Sequence, residues 1–113
     1  MAHTPRKRFG QNFLIDDQVI NQIISTIAPK LDDNIIEIGP GKGALTFPLA
    51  EYLDHLNVIE IDRDLISILN AQNNNKITIF NADALTFDFN HFSTKIRIIG
   101  NLPYNISSPL LFH

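Results

Sequence analysis

The stretch that most limits what this chain can fold into is a short apolar run that ends in a glycine cluster, IIEIGPGKG at residues 35–43. β-branched residues that stop at a chain breaker predict a strand buried on both faces of a sheet. Gly39, Gly41 and Gly43 then allow a sharp backbone turn and leave room for a ligand beside the main chain. Leucine recurs at four-residue spacing from Leu45 to Leu53, which predicts a helix whose first amides face the turn. A strand, a glycine turn and a helix in this order are typical of a nucleotide-binding site.

The glycine stretch by itself is compatible with two kinds of enzyme. Gly39, Gly41 and Ala44 satisfy the G-x-G-x-x-A pattern of dinucleotide-binding proteins. Glu37 inside the strand and the third glycine, Gly43, instead resemble the first motif of methyltransferases that use S-adenosylmethionine. A nicotinamide-dependent oxidoreductase and a methyltransferase therefore both remain open at this point.

Length and composition exclude several other classes. With 113 residues the chain is one small domain at most, and it has no cysteine for a disulfide or a thiolate metal site. No apolar run approaches the roughly 20 residues of a membrane span, and the N-terminus has charges but no apolar signal core. We expect a cytoplasmic protein with no metal and no membrane partner.

Charge is distributed unevenly along the chain, although the formal net charge is only −3. Arg6, Lys7 and Arg8 lie in the first thirteen residues with no acid among them, which leaves six bases against twelve acids in the rest. A basic arm on an acidic body suggests a polyanion partner that is contacted at one place. A solvated tail would have the same charge pattern, so this feature alone leaves both interpretations open.

The rest of the chain is predicted to form an N-terminal helix, three further strands and a second helix. The helix is capped by Asp16 or Asp17 and stopped by Pro29, and its apolar face comprises Val19, Ile20, Ile23, Ile24 and Ile27. The strands are predicted at residues 56–61, 77–80 and 96–99, with a helix capped by Asp62 between the first two.

Two of these strands are followed or closed by a carboxylate. Glu60 lies about twenty residues beyond the glycines, where a doubly wound fold places an acid that accepts hydrogen bonds from a ribose. Asp83 follows the third strand, and an acid there can accept from an adenine amino group while a neighbouring backbone N–H donates to the ring. Glu60 would serve NAD and S-adenosylmethionine equally, and Asp83 taken alone is more often a helix cap.

The fourth strand runs into Asn101, Leu102, Pro103 and Tyr104, which together offer an amide oxygen, two backbone carbonyls and an aromatic face. An exocyclic base amine is a poor nucleophile because its lone pair is delocalised into the ring. Fixed acceptors that hold its two hydrogens would turn the lone pair toward an electrophile and stabilise the developing positive charge. Tyr104 would stack on a base that has left its own stack.

Taken together, these motifs resemble the small-subunit ribosomal RNA adenine dimethyltransferase family. The stretches that carry the resemblance are FGQNFL at 9–14, EIGPGKGALT at 37–46, EID at 60–62, DA at 83–84 and NLPYNIS at 101–107. The resemblance implies a Rossmann-like α/β methyltransferase fold that uses S-adenosylmethionine to dimethylate two adjacent adenosines in a hairpin loop near the 3′ end of small-subunit RNA.

The resemblance also implies roles for individual residues. Asn12 and Leu14 would close over the cofactor, and the chain around Gly39 and Gly41 would pass under its methionine end. The ribose and the cofactor adenine would be held by Glu60 and by Asp83 with Ala84. The target adenosine would be held by Asn101 with Tyr104, and RNA phosphate would be contacted by Arg6, Lys7 and Arg8.

Methyltransferases of this class have a seven-stranded sheet, and this family adds a smaller helical domain that helps bind RNA. Only four strands are predicted here, and residues 107–113 at the end of the chain lie in the middle of what we interpret as an apolar helix. We therefore expect an N-terminal fragment: a basic arm and capping helix at 1–34, and an incomplete cofactor-binding domain at 35–113. Made alone, such a chain is expected to be unstable or oligomeric.

Three alternatives to this function are kept. The related large-subunit RNA methyltransferases that confer macrolide resistance share the glycine and Asn-x-Pro-Tyr motifs. A nicotinamide-dependent oxidoreductase is permitted by the glycines and Glu60 but leaves residues 101–104 unexplained. A non-catalytic assembly factor that recognises immature small subunits would use the same site as a checkpoint.

Overall fold

The computed structural model describes residues 16–73, 75–92 and 95–100 in full, and the backbone of 110–112. Three α-helices and five strands are found in these residues, with one short 3-10 helix at Phe89–His91. The helices are α1 (Asp17–Ile27), α2 (Thr46–Ala50) and α3 (Arg63–Gln72). The strands are β1 (Ile35–Ile38), β2 (Leu56–Glu60), β3 (Ile77–Asn81), β4 (Arg97–Gly100) and β5 (Leu110–Phe112).

All five strands form one sheet in the order β3-β2-β1-β4-β5. The first four are mutually parallel, and Ile38 at the end of β1 is paired with Ile59 on one side and Gly100 on the other. The carboxyl ends of β1, β2, β3 and β4 therefore lie along one edge of the sheet. This is the α/β architecture that the sequence predicts, and it gathers the predicted strand-end residues on the edge where ligands bind in open α/β sheets.

The predicted apolar helix at the end of the chain is wrong. Leu110–Phe112 instead forms β5, antiparallel to β4, with Ile98 opposite Phe112 and Gly100 opposite Leu110. Without β5, the outer side of β4 would present unpaired backbone N–H and C=O groups, and a short apolar segment satisfies them by pairing. The described sheet therefore has five strands rather than four.

Helix α1 forms as predicted and packs one apolar face on the sheet. Its N-terminus is capped by Asp16, whose Oδ1 accepts from the backbone N–H of Gln18 at 2.9 Å. It ends at Ala28, which takes a left-handed conformation (φ 50°) and donates to Ile24 O at 2.8 Å. The buried residues of α1, which join the main hydrophobic core with side chains of all four parallel strands, are Ile20, Ile23, Ile24 and Ile27.

Helix α2 is shorter than the leucine spacing predicts. It ends at Ala50, and the following residues form tight turns in which Glu51 and Leu53 donate to the carbonyls three residues earlier. Pro48 lies in the first turn of the helix, where its missing N–H is tolerated. Leu45, Leu49 and Leu53 are nevertheless all buried, so the spacing identified core positions correctly although it overestimated the helix.

The amino-terminal edge of the sheet is held by Arg97 at the start of β4. Its Nη1 donates to Asp33 Oδ2 at 3.0 Å and its Nη2 donates to the carbonyl of Ile27 at 2.5 Å. The backbone N–H of Arg97 donates to Asn34 O at 2.9 Å. These bonds fasten β4 to the end of α1 on the side away from the strand ends that carry the predicted site.

Candidate functional site

The glycine turn between β1 and α2 is held by backbone hydrogen bonds and has three residues at positive φ. Gly39, Gly41 and Gly43 have φ of 68°, 61° and 93°. The N–H of Gly39 donates to Ile59 O and the N–H of Gly43 donates to Pro40 O, both at 3.0 Å. These φ values are strained for any residue with a Cβ, which explains why glycine occupies all three positions.

The three glycines differ in what surrounds them. A Cβ added at Gly39 or Gly41 would meet nothing within 4 Å, whereas one at Gly43 would collide with the ring of Phe47 and lie 3.1 Å from Leu69 Cδ2. Gly39 and Gly41 thus leave an open face along the main chain, as predicted for a ligand-binding turn. Gly43 is required for packing between the turn, α2 and α3.

Glu37 is buried in β1 directly below this turn. The Oγ1 of Thr46 donates to Glu37 Oε1 at 2.6 Å, and the two side chains are 0% and 2% exposed. Burial raises the pKa of Glu37 from its ordinary value of 4.5 to about 7; the Thr46 hydrogen bond lowers it and the negative charge of Glu60 raises it further. The pair bridges the glycine turn, because it joins the strand before it to the first residue of the helix after it.

Glu60 closes β2 at the same edge and is 6% exposed. Its Oε2 accepts from the backbone N–H of Asp62 at 3.0 Å, and Asp62 in turn caps α3 through bonds from Asp64 and Leu65 N–H groups. Among the residues that the structure describes, no donor reaches the other oxygen, Oε1. Glu60 therefore keeps one buried acceptor oxygen without a donor in this part of the chain, and its role toward a ribose stays a prediction.

Asp83 and Ala84 lie in a turn after β3 rather than at the start of a helix. Asp83 Oδ1 accepts from Leu85 N–H at 2.9 Å, and Thr86 N–H donates to Asp83 O at 3.0 Å. This turn lies beside Glu60, because Asn81 is the register partner of Glu60 in the sheet. The N–H of Ala82 also donates to the Glu60 carbonyl at 3.2 Å. Five residues that were predicted to contact the cofactor therefore lie along one edge of the sheet: Gly39, Gly41, Glu60, Asp83 and Ala84.

Two apolar side chains at this edge were missed by sequence reasoning. Ile61, directly after β2, is 63% exposed, and Leu85, in the Asp83 turn, is 92% exposed. Exposed large apolar groups beside polar acceptors are typical of a site for an aromatic ring. The sequence signal was an apolar residue next to each strand-end acid, but only the fold shows that both remain uncovered.

The other predicted functional residues lie outside the described part of the chain: Arg6, Lys7, Arg8, Asn12, Leu14, Asn101, Leu102, Pro103 and Tyr104. Gly100, the residue before Asn101, is described and lies opposite Ile38, the residue before Gly39. The chain therefore enters residues 101–104 from the same edge that carries the glycine turn.

An aromatic cluster surrounds Phe80 near the end of β3. Phe80 of β3 makes edge-on contacts with Phe87, His91 and Phe92, at ring-centroid distances of 5.4, 5.9 and 6.0 Å. Within the described residues, no group of three or more His, Asp or Glu side chains is arranged to hold a metal ion. The same part of the chain contains no helix long and apolar enough to cross a membrane.

A family model for ribosomal RNA adenine dimethylase matches residues 2–113, which is nearly the whole chain. The chain belongs to the ribosomal RNA adenine dimethylase family. A curated relative, ribosomal RNA small subunit methyltransferase A of Nitrosomonas europaea, is 60% identical over 113 residues. The match covers 100% of this chain and 44% of that relative, so the chain spans less than half the length of the curated relatives it matches.

Solved structures place this dimethylase-family chain among Rossmann-like methyltransferases. A dimethyladenosine transferase from Plasmodium falciparum is 28% identical with a TM-score of 0.65, over 81% of this chain and 34% of that one. The 23S rRNA methyltransferase ErmE is 34% identical with a TM-score of 0.57, and the match covers 68% of this chain and 32% of ErmE. The N-methyltransferase NodS from Bradyrhizobium japonicum, solved with S-adenosyl-L-homocysteine, is 23% identical with a TM-score of 0.54. This match covers 70% of this chain and 48% of NodS, and it shows a shared fold.

These matches confirm the predicted family and fold. They do not favour the nicotinamide-dependent oxidoreductase that the glycine pattern left open. The curated small-subunit relative shares 60% identity with this chain over all of its length, and ErmE shares 34% over 68% of it.

Proposed function

We propose that this protein transfers methyl groups from S-adenosylmethionine to the exocyclic amines of two adjacent adenosines, in a hairpin loop near the 3′ end of small-subunit ribosomal RNA. We also propose that it acts in the cytoplasm, during assembly of the small ribosomal subunit. The observation that carries this is the convergence of Gly39, Gly41, Glu60 and Asp83 on one sheet edge, in a chain of the dimethylase family.

The described residues fit the proposed cofactor. The open face at Gly39 and Gly41 accommodates its methionine end against the main chain, since no side chain occupies that space. Glu60 Oε1 offers a buried acceptor to a ribose hydroxyl, and a hydrogen bond to a charged group contributes roughly 1.5–3 kcal/mol. Ile61 and Leu85 offer apolar surface to the adenine ring, and Asp83 offers an acceptor to its amino group.

In the proposed reaction S-adenosylmethionine supplies an electrophilic methyl group carried on a sulfonium. The chain's part is to position the target amine. We propose that the amide oxygen of Asn101 and the carbonyls of Leu102 and Pro103 accept its two hydrogens, while Tyr104 stacks on the base.

The remaining predicted residues would hold the cofactor and the RNA. Asn12 and Leu14 would close over the cofactor, and RNA phosphate would be bound by Arg6, Lys7 and Arg8. Asn101 would also border the cofactor, which places it between the two reactants.

The proposal is tested by incubating the protein with radiolabelled S-adenosylmethionine and small ribosomal subunits that lack these methyl groups. We expect label in small-subunit RNA, at two adjacent adenosines identified as dimethyladenosine by mass spectrometry of nuclease fragments. The matched substrate control is the large subunit. Label in large-subunit RNA instead would support the macrolide-resistance type of activity, and would overturn the proposed substrate.

A variant separates catalysis from a pure assembly role. Asn101→Ala should abolish methyl transfer while leaving binding of small subunits, measured by co-sedimentation, within about threefold of the unmodified protein. If the unmodified protein binds small subunits but transfers no methyl group, the non-catalytic assembly factor becomes the better description.

A further inference from the structure

Asn81 is the last residue of β3, and within the described part of the chain its side chain bonds only to the backbone of the neighbouring strand end. Its Nδ2 donates to the carbonyl of Glu60 at 3.1 Å and to the carbonyl of Ile61 at 3.2 Å. An exposed asparagine could satisfy both donor hydrogens with water. Here one amide group instead holds two successive carbonyls of the turn that follows β2.

These bonds lie where the sheet ladder between β2 and β3 ends. Glu60 and Asn81 form the last register pair, so the carbonyl of Ile61 has no strand partner in that ladder. Two carbonyls held on one nitrogen fix the orientation of both peptide planes. Those planes determine the direction of the Glu60 carboxylate on one side and of the exposed Ile61 side chain on the other.

The turn is also fastened from within. Glu60 Oε2 accepts from Asp62 N–H at 3.0 Å, which leaves Oε1 as the oxygen without a donor among the described residues. Without the Asn81 amide, the carbonyl of Ile61 would lose this partner and the carbonyl of Glu60 would keep only the N–H of Ala82. The turn could then move at Ile61, and Oε1 of Glu60 would no longer hold one position. Preorganisation of this kind raises affinity because a ligand does not have to order the site when it binds.

We propose that Asn81 is a positioning residue for the adenosine half of the cofactor, acting through the turn that presents Glu60 and Ile61. This inference rests on the proposed function, since it assigns Glu60 to the ribose. Asn81 itself is not expected to touch the cofactor. Its effect should therefore depend on the presence of the Glu60 carboxylate.

A double-mutant cycle tests this dependence, with the dissociation constant of S-adenosylmethionine measured by isothermal titration. Asn81→Ala should weaken binding about tenfold in the unmodified background, and by less than twofold when Glu60→Gln is already present. Asn81→Ser, whose hydroxyl can donate to only one carbonyl, should fall between the two. Asn57→Ala is the matched control, because Asn57 lies in β2 but its side chain bonds to Asn34 away from the site edge.

Kinetics give a readout that a merely structural role would not produce. Asn81→Ala should raise the KM for S-adenosylmethionine about tenfold and leave kcat on small subunits within about twofold. Equal affinity for Asn81→Ala and the unmodified protein would overturn the inference. So would a tenfold loss that persists in the Glu60→Gln background, because Asn81 would then act independently of Glu60. If the unmodified protein binds no S-adenosylmethionine, the proposed function is overturned, and the role of Asn81 is overturned with it.

Discussion

The hydroxyl of Thr46 lies 2.6 Å from a carboxyl oxygen of Glu37, and both side chains are almost completely removed from solvent. The bond spans nine residues of sequence and links β1 to α2 across the glycine turn. A buried carboxyl group is costly when charged, so this pair connects the stability of the turn to pH.

We predict that Glu37 makes the protein less stable as pH rises from 4.5 to about 7. Below 4.5 the carboxyl group is protonated in both the folded and unfolded states, and its contribution is fully present. Between these pH values the unfolded state loses the proton while the folded state keeps it, so the free energy of unfolding falls. A pKa raised from 4.5 to about 7 corresponds to about 3 kcal/mol in total.

Urea unfolding of Glu37→Gln between pH 4 and pH 8 measures this effect. From pH 4 to pH 8 the free energy of unfolding of the variant should rise by about 3 kcal/mol relative to that of the unmodified protein, because glutamine cannot ionise. Glu51→Gln is the control, since Glu51 is exposed at the end of α2. A stability difference between Glu37→Gln and the unmodified protein that stays constant with pH would show that Glu37 does not titrate as described.

Thr46→Val should destabilise the fold by about 1–3 kcal/mol, with the larger loss at pH 8. Valine has nearly the same shape as threonine but cannot donate, so Glu37 is left as an unsatisfied buried acceptor, most severely when it is charged. Chemical denaturation at pH 5 and pH 8 makes the comparison. Thr26→Val on the exposed face of α1 removes a hydroxyl that bonds only Gln22 O, and it should change stability by less than about 0.5 kcal/mol.

The three glycines should separate into two functional classes. Gly41→Ala should cost about 1–2 kcal/mol of backbone strain and weaken S-adenosylmethionine binding more than tenfold, because its Cβ enters the open face. Gly43→Ala should cost more stability, because strain at φ 93° adds to a collision with Phe47. Thermal melts and isothermal titration on both variants provide the measurements.

Phe47→Leu supplies the internal check on the role of Gly43. In this background Gly43→Ala should lose less stability than it does alone, since the clashing ring is gone. No such rescue is expected for Gly41→Ala, whose Cβ meets nothing within 4 Å. Equal effects of Phe47→Leu on both alanine variants would contradict the division of roles.

Arg97→Lys should reduce stability by about 1–2 kcal/mol without changing cofactor affinity. Lysine cannot reproduce the fork that reaches Asp33 and the Ile27 carbonyl together. The change lies at the amino-terminal edge of the sheet, away from Gly39 and Glu60. Arg63→Lys on the exposed surface of α3 is the control for stability, and a cofactor dissociation constant altered more than twofold by Arg97→Lys would mean that the two edges are coupled.

The fold and the position of Gly39, Glu60 and Asp83 at one edge of the sheet could be predicted because their signals are local. Ile35, Ile36 and Ile38 before a glycine indicate a buried strand wherever they lie, and Asp16 and Asp62 cap the helices that immediately follow them. Once four parallel strands are established, Glu60 and Asp83 must meet at the carboxyl edge. The sequence by itself therefore determined the family, the α/β class and the position of these two acids.

What only the tertiary structure decided depends on groups that are distant in sequence. The end of the chain forms β5 because the edge of β4 supplies unpaired backbone groups, which no local pattern in Leu110–Phe112 reveals. Gly43 is needed for packing because Phe47 and Leu69 fill the space beside it. The side chain of Asn81 hydrogen-bonds to the turn at Ile61, twenty residues earlier in the sequence. Glu37 holds its proton to about pH 7 because strands and helices surround it, and burial is a property that folding creates.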